Sequence, residues 1–136
     1  MKTSCFMVDS CEIQQSENEK KLIYSSPITS LNVETLPYVS NINVVVHLKD
    51  IKINDTIMIE LQIFNEKGEI IAFTEKNSIV ANKNELKTYC KIQTVHCSEG
   101  EFRMVLFCNG EPSFEFNYIV LCEDKNIYFD EISIPV

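Results

Sequence analysis

The sequence predicts an all-β domain built as a two-sheet antiparallel β-sandwich. Three observations carry that prediction. Apolar residues alternate with period two, most clearly over Thr56–Phe64. There Ile57, Ile59, Leu61 and Ile63 share one face, and Thr56, Met58, Glu60 and Gln62 take the other. Turn signals fall between alternating runs, at Asn65–Gly68 and at Asn109–Gly110. No stretch carries a helical stripe longer than about two turns. The 136 residues match the usual size of one domain. With 45% hydrophobic residues and only three Gly and four Pro, the chain is neither low-complexity nor disordered in composition.

Taken along the chain, Cys5–Val8 is a first short strand, and the polar stretch Gln14–Lys20 is a loop before a second at Lys21–Ser25. Leu36-Pro37-Tyr38 interrupts the chain, because Pro37 has no amide to give to a ladder. Ile42–Leu48 is a β-branched run, which predicts a central strand buried on both faces around Val44–Val46. Thr56–Phe64 and Glu69–Thr74 form a hairpin in which Gly68 takes the left-handed position. Asn82–Leu86 has room for one helical turn, and Leu86–Val95 follows as a strand. Glu101–Cys108 and Ser113–Leu121 make a second hairpin around Asn109-Gly110, the strongest short hairpin signal. Phe102, Met104 and Leu106 share one face of it, and Phe114, Phe116, Tyr118 and Val120 another, so both stripes enter one core. The tail Asp124–Val136, with Ile127, Phe129, Ile132 and Ile134, is an edge strand or a partner-binding tail of the domain formed by residues 1–123. About seven to nine short strands at this spacing, with no fixed repeat, make the sandwich immunoglobulin-like.

Several of these features together resemble a family of uncharacterised small bacterial proteins, a domain of unknown function. They are Asp9 after the first strand, the Lys21–Ser26 strand, Leu36-Pro37, the Val44–Leu48 run, Asn65-Glu66-Lys67-Gly68-Glu69-Ile70, and Gly100-Glu101-Phe102 before the strand that ends at Asn109-Gly110. The likeness spans roughly residues 4–121. It implies the immunoglobulin-like fold and brings no activity and no site residue with it.

The chemistry-bearing residues are sparse. Six cysteines stand at positions 5, 11, 90, 97, 108 and 122, with no C-x-x-C. In a reducing compartment they read as free, mostly buried thiols. Their spacing to the two histidines, His47 and His96, does not suit zinc. The adjacent His96–Cys97 pair looks like a thiolate–imidazole dyad, but strand neighbours point to opposite faces. The expectation is therefore a solvent-facing His96 and a buried Cys97. Asn54-Asp55 and Glu123-Asp124 are solvated loops in which no calcium loop is formed. No phosphate-binding glycine loop and no nucleophile elbow occurs. No catalytic, cofactor or metal residue is assigned.

Charge is the one feature with functional colour. Residues 99–136 hold eight acids and two bases, a net −6 of the chain's −8. Such a surface repels phosphate backbones and anionic membranes, and it steers basic proteins inward. The opening MKTSCFMVDSCEIQQ has an apolar stretch too short for a signal peptide, broken by Asp9 and Glu12. These points predict a cytoplasmic, non-enzymatic protein-binding module with no direct nucleic-acid or membrane contact. The candidate contact residues are Glu111, Glu115, Glu123, Asp124, Asp130 and Glu131. Two other readings stand beside it. One is a small acidic phage or mobile-element inhibitor that blocks a basic, nucleic-acid-binding host defence protein. The other is a homo-oligomeric structural or assembly protein.

Overall fold

A computed structural model describes residues 1–123; the predicted tail at 124–136 lies outside them, with Asp124, Asp130 and Glu131. All regular structure among the described residues is β. There are twelve strands, more than the seven to nine expected. They are β1 Lys2–Val8, β2 Cys11–Gln15, β3 Lys20–Tyr24, β4 Pro27–Ile28, β5 Ser30–Val33, β6 Tyr38–Lys49, β7 Thr56–Phe64, β8 Ile70–Phe73, β9 Asn77–Val80, β10 Leu86–His96, β11 Gly100–Cys108 and β12 Glu111–Cys122.

The strands form a four-stranded sheet, β10–β6–β1–β4, and a six-stranded sheet, β5–β12–β11–β7–β8 with β9 also on β7. A separate hairpin, β2–β3, completes the set. The six-stranded sheet curls into a half-barrel. One cluster of buried side chains joins the two larger sheets. It holds Met7, Val44, Val46, Leu48 and Ile92 from the first and Leu61, Ile63, Met104, Leu106, Tyr118 and Val120 from the second. The alternations read from the sequence over β7, β11 and β12 all point into it.

The central strand β6 behaves as its composition requires. Val44, Val45 and Val46 are all fully buried. Val44 and Val46 face the shared core, whereas Val45 pairs with Phe6 on one side and Tyr89 on the other. That outer side is sheltered by the β2–β3 hairpin, whose Tyr24 lies 5.5 Å from the Phe6 ring and accepts a hydrogen bond from Lys87 Nζ at 3.3 Å.

Turn chemistry follows the sequence closely. Asn109 and Gly110 both have positive φ, 53° and 83°, the geometry of a two-residue hairpin turn. Asn109 Oδ1 also accepts from the Met58 amide at 2.9 Å, tying the hairpin tip to β7. Gly68 has φ 79°. The Asn65 side chain accepts from the amides of Lys67 and Glu69, closing the loop from inside.

Four expectations need correction. The pairing is not antiparallel throughout, because β5 lies parallel to β12. The stretch Pro27–Val33 pairs first with β1 and then with β12, so a single run of chain changes sheets, and its direction is fixed by the first pairing. The loop predicted at Gln14–Lys20 shrinks to the turn Ser16–Glu19, because Gln14, Gln15 and Lys20 pair in the β2–β3 ladder. Asn82–Leu86 makes no helical turn; Asn84 instead exchanges hydrogen bonds with the backbone of Ile51. The cysteines are free but not mostly buried. Cys5 and Cys108 are buried, Cys11, Cys90 and Cys122 are half-buried, and Cys97 is exposed.

Candidate protein interface

Register decides which side chains share the outer face of the six-stranded sheet. One row runs Glu115–Val105–Gln62–Phe73 across β12, β11, β7 and β8. The next runs Asn117–Arg103–Phe64. Glu101 sits opposite Ile119, and Glu60 opposite Phe107, on the same side. Strand alternation adds Met58 and Leu121.

This face is acidic and unusually apolar for a surface. Phe73 is 70% exposed, and Met58, Val80, Ile119 and Leu121 are exposed as well. Scattered exposed apolar residues are ordinary; here several lie on one sheet face. Arg103 is the basic residue among them. Its guanidinium lies 4.9 Å from the centroid of the Phe64 ring and 3.8 Å from Glu115. At roughly half exposure that pair contributes little to stability, but it orders the carboxylate. Two grooves open here. One, of about 420 Å³, lies between the Asn65–Gly68 turn and Glu101, Arg103 and Asn117. The other, of about 250 Å³, lies between Met58, Glu60, Lys76 and Phe107. Glu66 closes the first from below by accepting the Glu101 amide at 2.9 Å, and Asn117 donates to Glu101 at 2.8 Å.

The predicted contact acids do not converge on one point. Glu115 is on the outer face, near its centre. A bulge at Leu106/Phe107 sets Glu111 opposite Cys108, out of step with Glu115 and at the hairpin end. Glu123 follows β12, exposed, with its amide donated to Val33. At ~3.3 Å per residue, Glu111 and Glu123 are at most roughly 40 Å apart along the chain, so the acids are spread along β12 rather than gathered. Sequence reasoning missed Glu60, Glu101 and Phe73. Alternation places each on an outer face, but only the pairing of distant strands shows that they share one.

The histidine–cysteine expectation is reversed. His96 is fully buried and Cys97 is exposed. His96 Nε2 lies 2.8 Å from the Tyr118 hydroxyl, and the His96 ring meets Phe102 edge-on at 4.8 Å. The strand simply continues through His96 in its alternation, so the histidine takes the core side. Burial lowers the His96 pKa from its usual 6.5. The unfolded chain then binds the extra proton first, so this contribution to stability is full above about pH 6.5 and is lost as pH falls toward the folded value. Chemical denaturation at pH 7.5 and at pH 5.5 should show a drop with a slope of at most ~1.4 kcal/mol per pH unit. That drop should shrink in His96→Gln; an equal drop in the variant would assign it elsewhere.

The other histidine, His47, contacts Glu85 at 2.5 Å, and that hydrogen bond holds the Glu85 carboxyl below its ordinary range. Burial pushes the Cys5 thiol up to about 12, helped by Cys108 and Cys90 nearby, and burial also raises Cys90 and Cys108. Such thiols hold few thiolates and react slowly. Among the described residues, no three His, Cys, Asp or Glu side chains gather as a metal site, and no helix is long and apolar enough to cross a membrane.

No family model matches the chain, and no curated protein matches it. Solved structures do. The chain is similar to a glycosyl hydrolase family 2 member from Bacteroides cellulosilyticus DSM 14838, with TM-score 0.51 and 11% identity over 64% of this chain and 13% of that one. A second family 2 structure from Bacteroides cellulosilyticus gives TM-score 0.52 and 8% identity, over 84% of this chain and 13% of that one. A third is Pseudomonas fluorescens alkylpurine DNA glycosylase AlkC bound to DNA containing an abasic site analog, with TM-score 0.44 and 11% identity, over 68% of this chain and 28% of that one. This chain therefore spans about an eighth of the length of the hydrolases it matches, and at such identity the likeness is one of fold.

Proposed function

We propose that the protein is a non-enzymatic binding module with an immunoglobulin-like sandwich as its scaffold. Its working surface is the outer face of the six-stranded sheet, and its partner is a basic protein. The observation that carries this reading is the exposed Phe73 at the end of the row Phe73–Gln62–Val105–Glu115, on a sheet face that also holds Glu60 and Glu101. A sheet face with an apolar anchor and an excess of acids suits a partner with an apolar centre and a Lys/Arg rim. The same carboxylates work against direct binding of nucleic acid or anionic membrane. Six free thiols suit a reducing, cytoplasmic setting.

The test is affinity capture from the native host with wild type and two variants. Glu60→Lys/Glu115→Lys should lose the captured partner or weaken it at least ~10-fold, and wild-type capture should weaken as salt rises. Phe73→Ser should weaken it without changing the salt dependence. Equal capture by all three proteins would overturn the reading. Light scattering on the purified protein separates it from a homo-oligomeric role, which would show as a defined multimer with no partner bound.

A further inference from the structure

Three buried polar side-chain atoms at one end of the core have no hydrogen-bond partner among the described residues: Ser40 Oγ, Thr94 Oγ1 and His96 Nδ1. Register brings them together. Thr94 lies directly opposite Ser40 on neighbouring strands β10 and β6, and His96 is two residues further along β10, opposite Tyr38. All three side chains are on the side facing the shared core, with Ile42 and Ile92 next in line. Cβ atoms of directly opposed residues stand about 4.5–5.5 Å apart, and diagonal neighbours about 7–8 Å. Thr94 is 3% exposed and His96 is 0% exposed, so bulk water does not reach them.

Nor can the histidine turn to satisfy itself. Its ring is held edge-on by Phe102 at 4.8 Å and by Tyr118 at 5.7 Å, while those two rings stack on each other at 5.6 Å. Nε2 is already engaged by the Tyr118 hydroxyl. Burial keeps that phenol protonated by raising its pKa, and burial keeps the imidazole neutral. A neutral imidazole has one donor nitrogen and one acceptor nitrogen. A phenol is a stronger acid than a neutral imidazole and the imidazole nitrogen the stronger base, so the phenol donates to Nε2; the ring proton then sits on Nδ1 and needs an acceptor. Two hydroxyls and one N–H at adjoining register positions fit a single water. It accepts from His96 Nδ1–H and shares one hydrogen bond with each hydroxyl, three in all, the usual number for a buried water.

We propose that Ser40, Thr94 and His96 form an internal water-binding site, with the Tyr118 hydroxyl holding His96 as the Nδ1–H tautomer. The site is independent of the outer face and of the partner-binding reading. It can be tested on ¹⁵N-labelled full-length protein at neutral pH. Imidazole ¹H–¹⁵N correlation spectra should show His96 neutral and protonated at Nδ1. Water-selective rotating-frame spectra should show a cross-peak from a long-lived water to that ring proton. In Thr94→Val the cross-peak should fall several-fold. If Thr94→Val does not fold, Ser40→Ala serves in its place. A ring protonated at Nε2, or an Nδ1–H with no water cross-peak in the folded wild type, would overturn the proposal.

Discussion

Replacing Leu106 with Ala should destabilise the fold by about 2–5 kcal/mol, the range for a buried Leu truncated in a packed core. Leu106 is fully buried and sits between Leu61 on β7 and Phe114 on β12. It lies in the middle of the larger sheet, where side chains from the opposite sheet close over it. Such a site relaxes poorly, so the lost transfer free energy and the residual cavity both count. Urea denaturation should show a lower midpoint with an unchanged slope, since the surface exposed on unfolding is nearly the same. The control is Leu121→Ala on the outer face, at 49% exposure. That change should stay within about 0.5 kcal/mol. Similar costs for the two would mean that the core is not where the shared cluster puts it.

Gly100→Ala should cost about 1–3 kcal/mol, the scale of backbone strain at one residue. Gly100 begins β11 with φ 132°, a conformation that side-chain-bearing residues rarely adopt. A Cβ there would also stand 2.6 Å from Glu66 Oε1, the oxygen that accepts the Glu101 amide. The Glu66 carboxylate can swing away, so the contact alone is cheap, but moving it opens the floor of the groove beside Arg103. Two measurements separate the effects. In a Glu66→Ala background the contact is gone, and what remains of the Gly100→Ala cost is the backbone contribution. Amide exchange at Glu101 should quicken in Glu66→Ala as well as in Gly100→Ala. Unchanged stability in Gly100→Ala would show that the strand start is not held in this conformation.

The parts of the fold that were legible in the sequence are those that local rules determine. Ile57, Ile59, Leu61 and Ile63 alternate into the core because a strand has period two, and Asn109-Gly110 turns because both residues tolerate positive φ. Val44–Val46 reads as a central strand because nothing in it needs water. The parts that were not legible are short or depend on a partner far away in the chain. The strands Pro27–Ile28, Ser30–Val33 and Asn77–Val80 are too brief to show a period, and each exists because a longer neighbour offers it a ladder. Cys11–Gln15 hides for a different reason: its residues are largely exposed, so its alternation has no apolar face to display.

The candidate face divides in the same way. Glu115 was visible as an acid in an acidic third of the chain. Its relation to Phe73 and Glu60 was not, because it depends on four strands being in register. His96 differs from expectation by one residue of strand: a strand ending at Val95 leaves the histidine in solvent, whereas the ladder carries on through His96 opposite Tyr38.

The stretch Pro27–Val33 has a consequence for how this chain is made. Its second half docks on Ile119–Cys122, about 90 residues downstream. As the chain leaves the ribosome from its N-terminus, β5 emerges long before its neighbour exists, and β1, β4 and β6 can pair while the other sheet is still incomplete. Contacts of such long sequence separation make folding slow. Until β12 arrives, the nascent chain carries an unclosed sheet edge, the kind of surface that chaperones cover and that stray strands join. The seam between the two sheets is therefore closed by the last described strand to be synthesised.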